Sequence, residues 1–138
     1  MITVDFAART LADLVVPYGP DALIGRRRWR VEPGSIEWSD PGRVRLLRDH
    51  VRSAAAGWAV ELTEHPAGLA GLFRIDRGPA GDRVLAQAGD GTLSGLSPGL
   101  DVTDTAPDPA RPGVHVVRRA LLHEVSITAS PAFTRSSR

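Results

Sequence analysis

The stretch Gly95-Leu96-Ser97-Pro98-Gly99 sets a serine between two glycines. A serine hydroxyl becomes a nucleophile when a neighbouring base takes its proton, and flanking glycines let a substrate backbone come close. The pattern fits G-x-S-x-G, the nucleophile elbow of α/β-hydrolase esterases. That elbow draws an oxyanion donor from the amide after the serine, and Pro98 has no N–H. A chain of 138 residues is also short for the large parallel sheet of that fold. The alternative is a turn serine between two structural glycines, and the pattern alone leaves both readings open. Ser94 is the near competitor.

Bases for such a serine are few. All 17 basic residues other than histidine are arginines, which removes Schiff-base chemistry and any Ser-Lys dyad. The absence of cysteine removes a thiol nucleophile, a Cys-type zinc site and a disulfide framework, and suits a reducing compartment. That leaves four histidines. His50 follows the apolar stretch Val44–Leu47 and precedes a Ser/Ala/Gly segment; His65 precedes a proline in a turn; His115 and His123 lie late in the chain. Metal binding is possible in principle, but no pair shows the helical metal-ligand spacing or clustering that would argue for it, and no metal or organic cofactor is expected. The net charge of +1 gives no support to a nucleic-acid role. Arg26, Arg27, Arg28 and Arg30, broken by Trp29, read as solvated surface around one buried aromatic; a patch docking on an acidic partner is the sharper alternative.

The elements that must hold these side chains are short. Fourteen glycines and eleven prolines punctuate the chain, which points to strands and turns. Thr10–Pro17 is apolar and β-branched enough for a strand, Asp21–Arg30 is ambiguous, and Pro33-Gly34 marks a turn. Arg43–His50 reads as a strand ending in Asp49-His50. Trp58, Val60 and Leu62 alternate with Ala59, Glu61 and Thr63 as a half-buried strand. His65–Gly68 turns the chain and Leu69–Asp76 returns as the second arm of a hairpin. Asp82 is placed to cap a short helix ending at Gly89. Leu96–Val102 is a strand, Thr103–Pro112 a Pro/Asp loop, and Val114–Thr128 one or two more strands. Residues 134–138 read as a frayed tail. The expectation is a single domain over residues 1–138, mainly β with short helices, of six or seven strands in a β-barrel-like form. A chain of this length buries roughly 68% of its unfolded surface, enough for a core without staples. Neither a signal peptide nor a membrane-spanning segment is expected.

Several segments, taken in order, resemble the prohead maturation proteases of tailed phages, distant relatives of the herpesvirus assemblins. Pro33-Gly34-Ser35-Ile36 resembles an early turn of the family. Val44-Arg45-Leu46-Leu47-Arg48-Asp49-His50 resembles the strand that ends in the catalytic histidine. Gly57–Glu64 and Gly68–Ile75 resemble the following hairpin. Asp90–Gly99 resembles the segment carrying the nucleophile at Ser97, with Pro98 where an aliphatic residue is usual. Leu122-His123-Glu124-Val125-Ser126-Ile127 and Pro131-Ala132 resemble the closing element. The match runs from about Thr10 to Ala132.

The resemblance implies a compact serine endopeptidase domain of the prohead protease and assemblin type. His50 would be the general base, Ser97 the nucleophile and Glu124 the group that orients the histidine, with His123 as the rival third member because the herpesvirus relatives use a second histidine. Arg118 and Arg119 could serve an oxyanion, although a pair of arginines on an exposed strand is more often solvated. The implied substrate is the delta domain of the major capsid protein or a separate scaffolding protein, and in time the protease itself. The implied setting is the cytoplasm of a bacterial host and the interior of the prohead, without membrane or specific nucleic-acid partners; self-association into a homo-oligomer is compatible with it. The competing reading is a non-enzymatic capsid-assembly module, an inactive relative that binds subunits through the Arg26–Arg30 face. Strand alternation adds a geometric expectation. Leu121, His123, Val125 and Ile127 should share one face, and Leu122, Glu124, Ser126 and Thr128 the other. Ser97 should lie opposite Leu96, Leu100 and Val102, on the same outer surface as Glu124.

Overall fold

The computed structural model describes residues 1–24 and 26–133; the expected frayed tail lies outside the described residues. The chain is mainly β, with ten strands in one mixed sheet, a single α-helix and one 3-10 turn among the described residues. The strands are β1 (Thr3–Asp5), β2 (Thr10–Pro17), β3 (Asp21–Ile24), β4 (Arg27–Val31), β5 (Ile36–Glu37), β6 (Arg45–Arg48), β7 (Val51–His65), β8 (Gly68–Ile75), β9 (Gly95–Pro107) and β10 (Val114–Thr128). The helix α1 covers Pro79–Asp90. The sheet is open rather than closed: its order runs β1-β2-β8-β7-β6-β10-β4-β3, with β5 and β9 also paired to β10. β9 approaches β2, but no hydrogen-bonded ladder joins them among the described residues.

β10 is the spine. Along one edge it pairs antiparallel with β9; along the other it takes β4, β5 and β6 in succession, all parallel to it. The chain moves between these three by two tight devices. Gly34, at φ +77, turns it after β4, and the 3-10 turn Pro41–Arg43, capped by the Asp40 carboxylate, turns it before β6. Glycine at 34 is needed because a Cβ is disfavoured in the left-handed region. One apolar core runs through the sheet, with Leu11, Val31, Leu46, Phe73, Val125 and Ile127 fully or almost fully buried, and α1 adds Val84, Leu85 and Ala88 to it. No helix among the described residues is long and apolar enough to cross a membrane.

Several expected boundaries shift, each for a physical reason. The strand expected over Arg43–His50 ends at Arg48, and Asp49-His50 form a two-residue turn into β7. Arg52–Ala56, in the Ser/Ala/Gly segment after His50, belongs to β7, which extends 15 residues because both neighbours supply ladder partners. The alternation expected around Val60 breaks at a bulge between Ala59 and Glu61: Ala59 and Leu62 are buried while Val60 faces out, 46% exposed. The extra residue of a bulge shifts which side chains point inward. α1 begins at Pro79, three residues before Asp82, and stops at Gly91 in the left-handed conformation rather than at Gly89. Proline suits the first turn, where its missing N–H leaves no bond unmade. Half of the expected Thr103–Pro112 loop is strand, because β10 pairs with β9 as far as Pro107. The count of six or seven strands is low by the short segments β1, β3, β4 and β5, each too brief to show a period.

Candidate active site

His50 sits at the second position of the turn between β6 and β7. Arg48 pairs with Val51, so Asp49 and His50 are the whole loop, and both have positive φ, 52° and 59°. Two left-handed central residues are the signature of the type I′ turn, whose second position favours glycine. Holding non-glycine residues there costs of order 1–3 kcal/mol each, less for Asp and His than for bulkier residues. Such strain persists only where surroundings enforce it. Here β10 does so: the Asp49 N–H donates to the Ile127 carbonyl at 3.2 Å, and the His50 N–H donates to Ser126 Oγ at 2.7 Å.

The same turn aims the imidazole at β10. His50 Nδ1 lies 2.5 Å from Glu124 Oε1. An ionised carboxylate only accepts, so Nδ1 carries the proton and Nε2 is left with its lone pair free. Ser126 Oγ donates to the other carboxylate oxygen, Glu124 Oε2, at 3.2 Å. Ser126 is fully buried and touches both members of the pair: its hydroxyl accepts from the His50 backbone and donates to the Glu124 side chain. The Glu124 side chain is 12% exposed and that of His50 is 45% exposed, so the carboxylate is shielded while the ring reaches solvent.

Ser97 stands one strand away. In the antiparallel ladder it pairs with Ser126, and Gly99 pairs with Glu124. Cross-strand partners share a face, so Ser97, Gly99, Ser126 and Glu124 lie on one side of the sheet. Ser97 is only 3% exposed. No hydrogen bond joins it to His50, and its hydroxyl is bonded to no described residue. The structure thus brings His50 and Glu124 into contact and sets Ser97 on their face without closing the last link.

Gly99 is required by this arrangement. A Cβ there would come within 2.6 Å of Glu124 Cδ and 2.7 Å of its Cγ, so the carboxylate would have to move. Gly99→Ala is therefore expected to leave the melting temperature within a few degrees of the native value, since a side-chain end can shift cheaply. Should the His50–Glu124 pair serve a serine nucleophile, fluorophosphonate labelling is expected to slow by about a hundredfold, an effect that misplacing a reacting group by about 1 Å can have. Labelling at the native rate would show that the Glu124 position is immaterial.

The other histidines are engaged elsewhere. His123 Nε2 lies 3.6 Å from Asp101 Oδ1, His65 Nδ1 accepts from the Ala67 N–H at 3.1 Å, and His115 packs on Trp29 with ring centroids 5.4 Å apart. Arg119 pairs with Glu37 at 3.1 Å on the surface. In the Arg26–Arg30 run, Arg28 pairs with Asp21 and Arg30 with Asp108, while Trp29 is half-buried against the core. The Asp108 carboxyl is held below the usual carboxylate range, first by the Ala110 N–H and then by Arg30. No cluster of three His, Asp or Glu side chains among the described residues could hold a metal ion.

The expected face pattern of β10 needs correction. The ladder slips between Leu122 and Glu124, so His123 is the extra residue of a bulge. Ala120 and Leu122 enter the core on one side of the slip, and Val125 and Ile127 on the other, while Leu121 is 44% exposed. Strict alternation therefore fails across His123, which separates Leu122 from the Glu124 face, while Glu124 and Ser126, two residues apart in regular register, share a face as expected. On β9, Val102 is also 42% exposed instead of joining Leu96 in the core. Ser126 was missed as a site residue. Its position two residues after Glu124, in a strand otherwise apolar from Val125 to Ile127, was the available signal. No protein-family model, curated protein or solved structure matches the chain.

Proposed function

We propose that the chain is a serine endopeptidase of the prohead maturation type, with His50 as general base, Glu124 as its orienting carboxylate and Ser97 as nucleophile. The observation that carries this reading is the short Glu124–His50 contact, built on a strained turn and shared with the buried Ser126. A surface ion pair would need no strained backbone, and glycine would make the turn more cheaply. The ordered resemblance of the flanking segments to prohead proteases points the same way, and a mainly β fold is compatible with it.

In this mechanism Ser97 Oγ gives its proton to His50 Nε2 and attacks the scissile carbonyl. Glu124 stabilises the imidazolium that forms, and the imidazolium then protonates the leaving amine. Water enters by the reverse path to release the acyl group. Only a ring with Nε2 unprotonated can accept the serine's proton. Pro98 offers no amide, so the oxyanion is held by donors other than that of residue 98. Hydrogen bonds between catalytic groups are often long before substrate binds, which accommodates the gap between His50 and Ser97. The proposed substrate is scaffold, either the capsid protein's delta domain or a separate scaffolding protein, inside the prohead of a bacterial host. Crowding with substrate in a closed shell raises effective concentration and tolerates a shallow site.

The 3% exposure of Ser97 favours a second reading, a non-enzymatic assembly module. A fluorophosphonate probe followed by mass analysis separates the two. Adduct on Ser97 supports the protease; no adduct at any pH, with the capsid protein left intact on co-expression, supports the module.

A further inference from the structure

We infer that the cleft beside the His50–Glu124 pair is a subsite for an acidic side chain of the substrate, close to the bond that is cut; this rests on the protease reading above. The cleft measures about 630 Å³ and is lined by Arg45, Leu47, His50, Arg52, Ala55, His123 and Glu124. It runs from the ring of His50 across β6 to the start of β7. Leu47 and Ala55 are ladder partners, which makes the floor apolar. The walls are cationic. Arg45 is a ladder partner of Glu124 on β10, stacks over Trp58 at 6.0 Å and reaches Asp76 at 3.3 Å, with its side chain still 43% exposed. Arg52 is exposed and has no ion-pair or hydrogen-bond partner among the described residues. The one carboxylate lining the cleft, Glu124, is already engaged by His50 and Ser126.

Two guanidinium groups over an apolar floor, next to the proposed base, form a receptor for a side chain with a short apolar stem and a carboxylate end. Glutamate fits this better than lysine, which Arg45 and Arg52 would repel. Guanidinium also binds carboxylate through paired N–H donors, which fixes orientation as well as charge. Arg45 is braced by Trp58 and Asp76, so Arg52 is the residue whose loss reads the subsite with least disturbance to the fold.

The test is digestion of a proteome-derived peptide library with the whole chain, followed by sequencing of the new termini. Cleavage sites should be enriched in Glu or Asp within two residues of the cut. A matched pair is then made from the best-cleaved sequence, identical except for Glu→Gln at the enriched position. The native protein should prefer the Glu peptide in kcat/KM by about fivefold or more, the value of a partly exposed ion pair. Arg52→Gln should erase most of that ratio, and Arg52→Glu should invert it in favour of a Lys-containing analogue. Cleavage without acidic enrichment, or an unchanged ratio in Arg52→Glu, overturns the subsite while leaving the protease reading intact. No cleavage of the library together with no fluorophosphonate adduct on Ser97 overturns both.

Discussion

Replacing Ser97 by alanine is expected to abolish fluorophosphonate labelling and trimming of co-expressed capsid protein, a loss of about 10⁶-fold in turnover, while the protein folds as before. The fold should survive because the Ser97 hydroxyl bonds to no described residue, so its removal leaves no partner unsatisfied. Ser94 is the control. Its hydroxyl donates to the Ala129 carbonyl at 3.2 Å at the entrance to β9, a structural bond. Ser94→Ala should therefore label and cleave nearly as the native protein does. Full activity in Ser97→Ala paired with a dead Ser94→Ala would move the nucleophile. Thermal melts of both variants check that loss of activity is not loss of fold.

Glu124→Gln carries the second large effect, a fall of about 10⁴-fold in turnover with little change in stability. The reason is the tautomer. The carboxylate forces the proton onto His50 Nδ1 and leaves Nε2 free to accept. A glutamine can turn its NH₂ toward Nδ1, which places the ring proton on Nε2 and blocks acceptance from serine. His50→Ala should be as damaging as Ser97→Ala, and the double variant no worse than either, since members of one catalytic unit do not add. His123→Ala is the counterpart: its ring faces Asp101, so the rate should change by only a few-fold. If His123→Ala were dead and Glu124→Gln active, the third member would be His123. Ser126→Ala should fall between these extremes, because it releases both the His50 N–H and one oxygen of Glu124.

Much of the secondary structure was legible in the residues themselves. Thr10–Pro17 is a strand as its β-branched run predicts, and His65–Gly68 turns a hairpin where proline and glycine demand it. Those signals are local: propensity, period and punctuation act within a few residues. The absence of lysine and cysteine narrowed the possible bases for a serine to the four histidines, and only the family resemblance singled out His50, Ser97 and Glu124 among the candidates. What sequence alone could not provide was register. Whether Glu124 faces His50 depends on the bulge at His123, and nothing in the residue types around it announces that one residue of β10 goes unpaired. A bulge is decided by the ladder on the partner strand, which at this point lies 22 to 25 residues away along the chain and is invisible to a local period. The same holds for the Asp49-His50 turn. Aspartate suits the first centre of such a two-residue loop, but histidine is not a standard choice for the second, where glycine is favoured, and the conformation stands because Ile127 and Ser126, on β10, hold its N–H groups. The sequence by itself determined which side chains were available and that most of the chain would be strand. Tertiary structure decided which of them meet, because contact between β6, β9 and β10 is set by long-range pairing, where a slip of one residue exchanges the two faces of a strand.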